Sequence, residues 1–84
     1  MTFGEAIEDL KSGAQVTRAA WNIKGVWLRL QRPNATSKMT LAFIFMSTAG
    51  GDLVPWIASH TDMLAEDWFV PDFTAGQTGS AGIF

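Results

Sequence analysis

Apolar residues recur at helical spacing from residue 3 to residue 12, and this pattern predicts an amphipathic helix at the start of the chain. The residues on the apolar stripe are Phe3, Ala6, Ile7 and Leu10. Thr2 and Glu5 have the spacing of a capping box, in which each side chain bonds the backbone NH of the other. Gly13 can adopt the left-handed conformation that ends a helix. We therefore expect this helix to lie with its stripe against a sheet.

Five later stretches have the character of strands, and they predict one antiparallel sheet of about five strands. The stretches are residues 15–19, 26–32, 41–46, 53–57 and 68–70. The second stretch alternates strictly, which places Val26, Leu28 and Leu30 on the core face. Pro55 has no NH for a ladder, so its strand must lie at an edge or be bulged. One helix on such a sheet is an α+β fold.

The third stretch, residues 41–46, is apolar at six successive positions and does not alternate. A strand of this kind is normally buried on both faces, but one helix can cover only one face of the sheet. An exposed strip of Phe and Ile side chains would promote aggregation. We therefore expect the second face to meet another subunit, which makes the protein a homo-oligomer.

The composition predicts a single small domain that spans residues 1–73. The chain has 84 residues and no cysteine, so neither disulfides nor thiolate metal sites can compensate for a small core. Its net charge of −2 provides no broad field that would attract DNA or RNA. The sequence shows no signal peptide and no apolar stretch long enough to span a membrane. Residues 74–84 are rich in Gly, Ser and Thr, and they predict a flexible tail.

The residue types needed for catalysis are present, but their spacing argues against an enzyme. Ser59, His60 and Asp62 are the types of a catalytic triad, yet adjacent residues on an extended segment face opposite ways. One His and scattered carboxylates do not complete a metal site, and no loop carries a phosphate-cradling motif. We expect no catalytic residue, no metal and no cofactor.

Binding chemistry is concentrated in residues 18–22 and 54–68. Indole rings stack on flat bases, Arg pairs with phosphate, and Asn, Ser, Thr and Asp bond ribose hydroxyls and base edges. The candidate ligand-binding residues are Arg18, Trp21, Asn22, Trp56, Ser59, His60, Thr61 and Asp62.

A purely structural interpretation of the same residues stays open, in which Trp21 and Trp56 belong to the core. In that case Ser59 with Asp62, or Thr61 alone, caps one helical turn over about residues 62–66. Trp68 lies within an apolar strand and is expected in the core in either case.

The two segments together carry the pattern of a known family. Arg18-x-x-Trp21-Asn22 follows the N-terminal helix, and the later segment reads Val54-Pro55-Trp56-x-x-Ser59-x-Thr61-Asp62-x-Leu64-Ala65-x-Asp67-Trp68. Over residues 1–70 the chain resembles the second Thoeris anti-defence family of phage proteins. The resemblance implies a homotetramer that sequesters a cyclic ADP-ribose isomer, without cleaving it, in pockets at subunit interfaces. It also implies that cyclic di- or trinucleotides can be ligands, since some members trap them.

The resemblance further implies a location in the host bacterial cytoplasm. The net charge and the lack of a long apolar stretch predict no DNA or RNA polymer and no membrane as partner. An alternative from another class is a small structural or protein-interaction module that binds a host protein through the apolar face of residues 41–46. A hydrolase is a third hypothesis, and it would require His60 to support turnover.

Overall fold

The computed structural model describes residues 1–71, which form an α+β fold of two helices and five strands. The elements in chain order are α1 Phe3–Lys11, β1 Thr17–Arg18, β2 Trp27–Gln31, β3 Phe43–Ser47, β4 Leu53–Pro55, α2 His60–Leu64 and β5 Trp68–Phe69. A 3₁₀ turn, Ala19–Trp21, directly follows β1. The tail predicted at residues 74–84 lies outside the described residues.

The strands form two antiparallel sheets, so the prediction of one continuous sheet is wrong although the α+β class and the five strands are confirmed. One sheet has the order β2-β3-β4, and the other pairs β1 with β5. The sheets meet where Val16 and Leu28 exchange backbone hydrogen bonds of 2.8 and 3.1 Å. The next bonded pair of such a ladder would be Arg18 with Val26. The carbonyl of Val26 instead accepts from the Thr17 hydroxyl over 2.8 Å, and the ladder ends.

The helix α1 begins at the predicted residue and ends at Lys11, one residue before the predicted end. The backbone NH of Glu5 donates to the Thr2 hydroxyl over 3.2 Å, and Glu5 accepts from the NH of Thr2 over 2.8 Å. Gly13 has a φ of +97°, the left-handed conformation expected after the last turn. The helix packs on the core, whose buried apolar residues are Ala6, Leu10, Val16, Leu28 and Trp68. Trp68 is therefore a core residue, as predicted.

The apolar run 41–46 is only partly a strand, which corrects its predicted start. β3 begins at Phe43, and Leu41 is 79% exposed. Residues 43–46 are each half-buried, because α1 covers one face of the sheet while Trp27 contacts Phe45 on the other. The subunit contact expected on that second face stays a prediction.

The edge position predicted from Pro55 is confirmed. β4 is an outer strand of its sheet, and Pro55 is its last residue, opposite Phe45. The strand is shorter than predicted, since it ends before Trp56. The backbone NH of Trp56 still donates to the carbonyl of Ile44 over 3.0 Å, which fixes the start of the segment that leads to α2.

Candidate functional site

Arg18 is the centre of an ion-pair network that joins segments distant in the sequence. Its Nε donates to Asp67 and its Nη1 donates to Asp62, each over 2.8 Å. The side chains of Arg18 and Asp62 are 12% and 13% exposed. The second carboxylate oxygen of Asp67 accepts from the backbone NH of Ala20 over 2.9 Å. The network therefore holds the 3₁₀ turn against α2 and against the segment that enters β5.

The network favours the charged form of each of its members. The hydrogen bond to Asp67 raises the pKa of Arg18, although burial works against this shift. The same bond lowers the pKa of Asp67, with help from the NH of Ala20. Burial would raise the pKa of Asp62, but hydrogen bonds from Ser59 and Arg18 outweigh it and lower the pKa overall. One positive charge thus faces two negative charges.

Ser59 and Asp62 cap the start of α2. The Ser59 hydroxyl accepts from the NH of Asp62 over 3.1 Å, and the Asp62 carboxylate accepts from the Ser59 NH and hydroxyl over 3.2 and 2.8 Å. This reciprocal capping box places the helix at His60–Leu64, two residues earlier than predicted. The Ser59 hydroxyl is directed at Asp62, a geometry that differs from the Ser–His contact of a catalytic triad.

An aromatic cluster lies beside the ion-pair network. Ring centroids of Trp21 and Trp56 lie 5.3 and 6.1 Å from the Trp68 centroid, and the two rings are 6.3 Å from each other. Phe3 joins the cluster at 5.5 Å from Trp68, and the Arg18 guanidinium lies 6.0 Å from the centre of the Trp68 ring. The indole pairs are close to edge-to-face, an arrangement that stabilises the fold. Trp21 and Trp56 remain half-buried, so each still presents part of its ring.

A cleft of about 770 Å³ opens between the turn after Trp21 and strand β5. We call it the basic cleft. Its lining includes Thr17, Arg18, Asn22, Lys24, Trp27 and Phe69. Among residues 1–71 the lining contains two cations and no carboxylate. Because Arg18 is paired with Asp62 and Asp67, Lys24 is the cation that favours a ligand with negative charge. Asn22, which lines the cleft, has a left-handed backbone with φ 36° and ψ 33°, a conformation that Asn tolerates better than most residues.

A second cleft of about 500 Å³ lies between α1 and the first two strands of the larger sheet. Its lining is mostly apolar and includes Ile7, Leu10, Leu30, Phe43, Ile44 and Trp56, with Lys11 and Arg32 also present. The carbonyl of Lys11 accepts from Arg32 over 2.6 Å, which ties the end of α1 to the end of β2. This cleft offers apolar surface with little polar chemistry to select a ligand.

Comparison with known proteins assigns this sequence to a family. The sequence model of the Thoeris anti-defense 2-like domain (Tad2-like) matches residues 1–71, which is most of the chain. A curated relative, Thoeris anti-defense 2 of Bacillus phage SP01, is 41% identical over an alignment of 81 residues. That alignment covers 81% of this chain and 91% of the relative.

The chain belongs to the Thoeris anti-defense 2-like family. Membership gives the protein an anti-defence role against the Thoeris system, and its curated relative is a phage protein. No helix within residues 1–71 is both long and apolar enough to cross a membrane.

The eight candidate ligand-binding residues predicted from the sequence are distributed over several places. Arg18 and Asn22 line the basic cleft, whereas Trp56 lines the apolar one. Trp21 lies between them in the aromatic cluster. The remaining four are on or next to α2: Ser59 and Asp62 form its cap, and His60 and Thr61 are exposed in its first turn. The ligand contacts of all eight residues stay predictions, although three of them, Arg18, Ser59 and Asp62, have clear structural roles.

Sequence reasoning missed three residues of the basic cleft. Lys24 was part of a turn, Trp27 was on the outward face of a strand, and Phe69 was in the last strand. The structure brings them together at the cleft. A signal for Lys24 was available, because it lies between Asn22 and Gly25, two residues that both take positive φ in the structure. A cation in a sharply turned segment beside a Trp is a reasonable candidate for anion binding.

Proposed function

We propose that the protein counters Thoeris by binding a cyclic ADP-ribose isomer and keeping it from its receptor, without cleaving it. It acts in the host bacterial cytoplasm as a homotetramer with no cofactor. Cyclic di- and trinucleotides are further candidate ligands of the same kind. The observation that carries the proposal is the basic cleft, in a chain that belongs to an anti-defence family named for Thoeris.

The size and chemistry of the basic cleft support a nucleotide ligand. Its volume of about 770 Å³ lies within the range of about 300–1,000 Å³ that small-molecule sites occupy. Trp27 and Phe69 provide aromatic surface for a base, and Asn22 provides an amide for hydrogen bonds. A lining cation that has no carboxylate partner among residues 1–71, Lys24, suits a diphosphate. Sequestration needs affinity alone, so the absence of a Ser–His contact among residues 1–71 is compatible with it.

The exposed apolar surface supports the proposed homotetramer. Leu41 is 79% exposed, Ile57 is 91% exposed and Leu64 is 79% exposed. Large apolar side chains that are exposed to this extent, and in this number for a small domain, usually mark a surface that another chain covers. Subunit association would also deepen clefts that are open in the single chain. Analytical ultracentrifugation should give the mass of four chains, and a monomer at micromolar concentration would contradict this part of the proposal.

Ligand-dependent thermal stabilisation tests the binding itself. A ligand that binds only the folded state, at about 100 times its Kd, stabilises that state by about 2.7 kcal/mol. A purified cyclic ADP-ribose isomer should therefore raise the Tm by several degrees, while ATP at the same concentration serves as a control for general phosphate binding. No shift with the isomer, or equal shifts with both compounds, would argue against the proposal.

The second candidate function is a protein-interaction module, and the outer face of the larger sheet favours it. Trp27 and Phe45 contact each other on that face at a centroid distance of 6.0 Å, and Leu53 at its edge is 61% exposed. In this case the protein would bind a host protein through the sheet. The same thermal experiment separates the two candidates, because an interaction module has no reason to respond to a cyclic nucleotide.

A further inference from the structure

The basic cleft contains two cations whose surroundings differ. Arg18 already donates to Asp62 and Asp67 over 2.8 Å, and these two carboxylates more than neutralise its charge. A phosphate bound at Arg18 would face the same carboxylates and would have to compete with hydrogen bonds that are already formed. Arg18 is therefore poorly suited to be the main phosphate contact, although its residue type suggests that role.

Lys24, the second cation of the basic cleft, has different surroundings from Arg18. It is exposed, it lines the cleft, and within residues 1–71 no carboxylate forms an ion pair with it. The turn that carries it is shaped by Asn22 with φ 36° and Gly25 with φ 89°. A Cβ at position 25 would also lie 4.0 Å from the carbonyl oxygen of Thr48, so the turn runs close to the end of β3. Lys24 thus lines the cleft from a sharply turned segment.

Trp27 lies three residues further on, at the first position of β2, and it lines the same cleft. Its ring is supported by Phe45, at a centroid distance of 6.0 Å and an interplanar angle of 70°. An indole that is held in this way loses little conformational freedom when a base stacks on it.

We propose that Lys24 and Trp27 form the phosphate-and-base subsite of the basic cleft, where the ammonium of Lys24 pairs with the ligand's diphosphate and the indole stacks on a base. This assignment rests on the proposed function, since it concerns the contacts of the same ligand. Arg18 then acts as a positioning residue that keeps the 3₁₀ turn, and with it the wall of the cleft, in place.

Isothermal titration calorimetry with a purified cyclic ADP-ribose isomer tests the assignment. Lys24→Gln removes the charge and should weaken binding about tenfold or more, the effect expected when a charge-assisted contact is lost. Lys38→Gln, which removes the same charge from an exposed loop position outside the cleft lining, should change Kd by less than about twofold. Trp27→Leu should also weaken binding, and circular dichroism of each variant reports whether the fold is retained.

The dependence of the ligand affinity on salt concentration distinguishes the loss of a charge contact from a purely structural effect, which would leave this dependence unchanged. The affinity of the unaltered protein should fall as ionic strength rises, and the affinity of folded Lys24→Gln should fall less steeply. If the unaltered protein binds while Lys24→Gln and Lys38→Gln bind equally well, the subsite assignment is wrong and the proposed function survives. If the unaltered protein does not bind the isomer at all, both are overturned.

Discussion

The Nε atom of Arg18 donates a 2.8 Å hydrogen bond to Asp67, a residue 49 positions later in the sequence. The same guanidinium donates to Asp62, and Asp67 also accepts from the NH of Ala20. These bonds join the Arg-x-x-Trp-Asn segment to the motif of residues 54–68. The two segments that carry the family pattern are therefore one structural unit, which is connected through its charges.

Replacement of Arg18 should destabilise the fold. Arg18→Met keeps most of the side-chain stem but leaves the carboxylates of Asp62 and Asp67 without their cation. We expect a loss of about 1–3 kcal/mol in the free energy of unfolding, measured by urea denaturation. Lys11→Met removes an exposed partner of Glu8 and should cost less than about 0.5 kcal/mol. Equal losses in the two variants would mean that the Arg18 network does not hold the fold.

The stability should fall at acidic pH because the network lowers the pKa of Asp62 and of Asp67. A carboxyl whose folded-state pKa lies below its unfolded value of about 3.9 stabilises the fold fully above that value. This contribution is lost as the pH falls through the lower folded-state pKa. The Tm should therefore decrease steeply below about pH 4. Asp67→Asn should have a shallower decrease, and an unchanged pH profile in that variant would show that Asp67 is not a source of the acid sensitivity.

The cap of α2 should contribute to stability independently of any ligand. Ser59→Ala removes the hydroxyl that accepts from the NH of Asp62, and we expect a loss of about 1 kcal/mol. Thr61→Ala changes an exposed hydroxyl in the same turn and should be close to neutral. Thermal denaturation of both variants measures the difference. A larger loss of stability for Thr61→Ala than for Ser59→Ala would show that Ser59 is not the residue that caps α2.

Asn22 allows backbone strain and ligand contact to be separated. Its φ of 36° is left-handed, so Asn22→Ala should cost about 1 kcal/mol of stability whereas Asn22→Gly should cost little. Both variants lose the side-chain amide that lines the basic cleft. If the amide binds the ligand, calorimetry should show an equal loss of affinity in both. Weaker binding in Asn22→Ala alone would indicate that only the backbone conformation matters.

Local signals in the sequence were sufficient for the elements whose ends are decided by neighbouring residues. Thr2 and Glu5 form the predicted capping box. Of the two caps considered for α2, the pair Ser59 and Asp62 is the one that forms, although the helix starts two residues earlier than predicted. Gly13 ends α1 with a positive φ. Pro55 was placed on an edge strand for the correct reason, since it cannot donate to a second neighbour.

The parts that could not be predicted depend on contacts between distant residues. The single predicted sheet is interrupted because the Thr17 hydroxyl bonds the carbonyl of Val26, and no propensity reports such a bond. Arg18 had the residue type of a phosphate ligand, but its two carboxylate partners lie 44 and 49 positions away. The basic cleft itself was not visible in the sequence. Phe69 is brought near Trp27, and near the turn that carries Lys24, by the pairing of β5 with β1 and by the bridge between Val16 and Leu28.

The most direct test of the central claim is to capture a ligand and then release it. Purified protein is incubated with a limiting amount of a cyclic ADP-ribose isomer, and the unbound fraction is measured by filtration and liquid chromatography. The sample is then heated to denature the protein, and the released compound is identified by mass spectrometry. Sequestration predicts that the isomer disappears from the filtrate and returns chemically intact after heating. Recovery of a cleaved product, or an isomer that never leaves the filtrate, would contradict it.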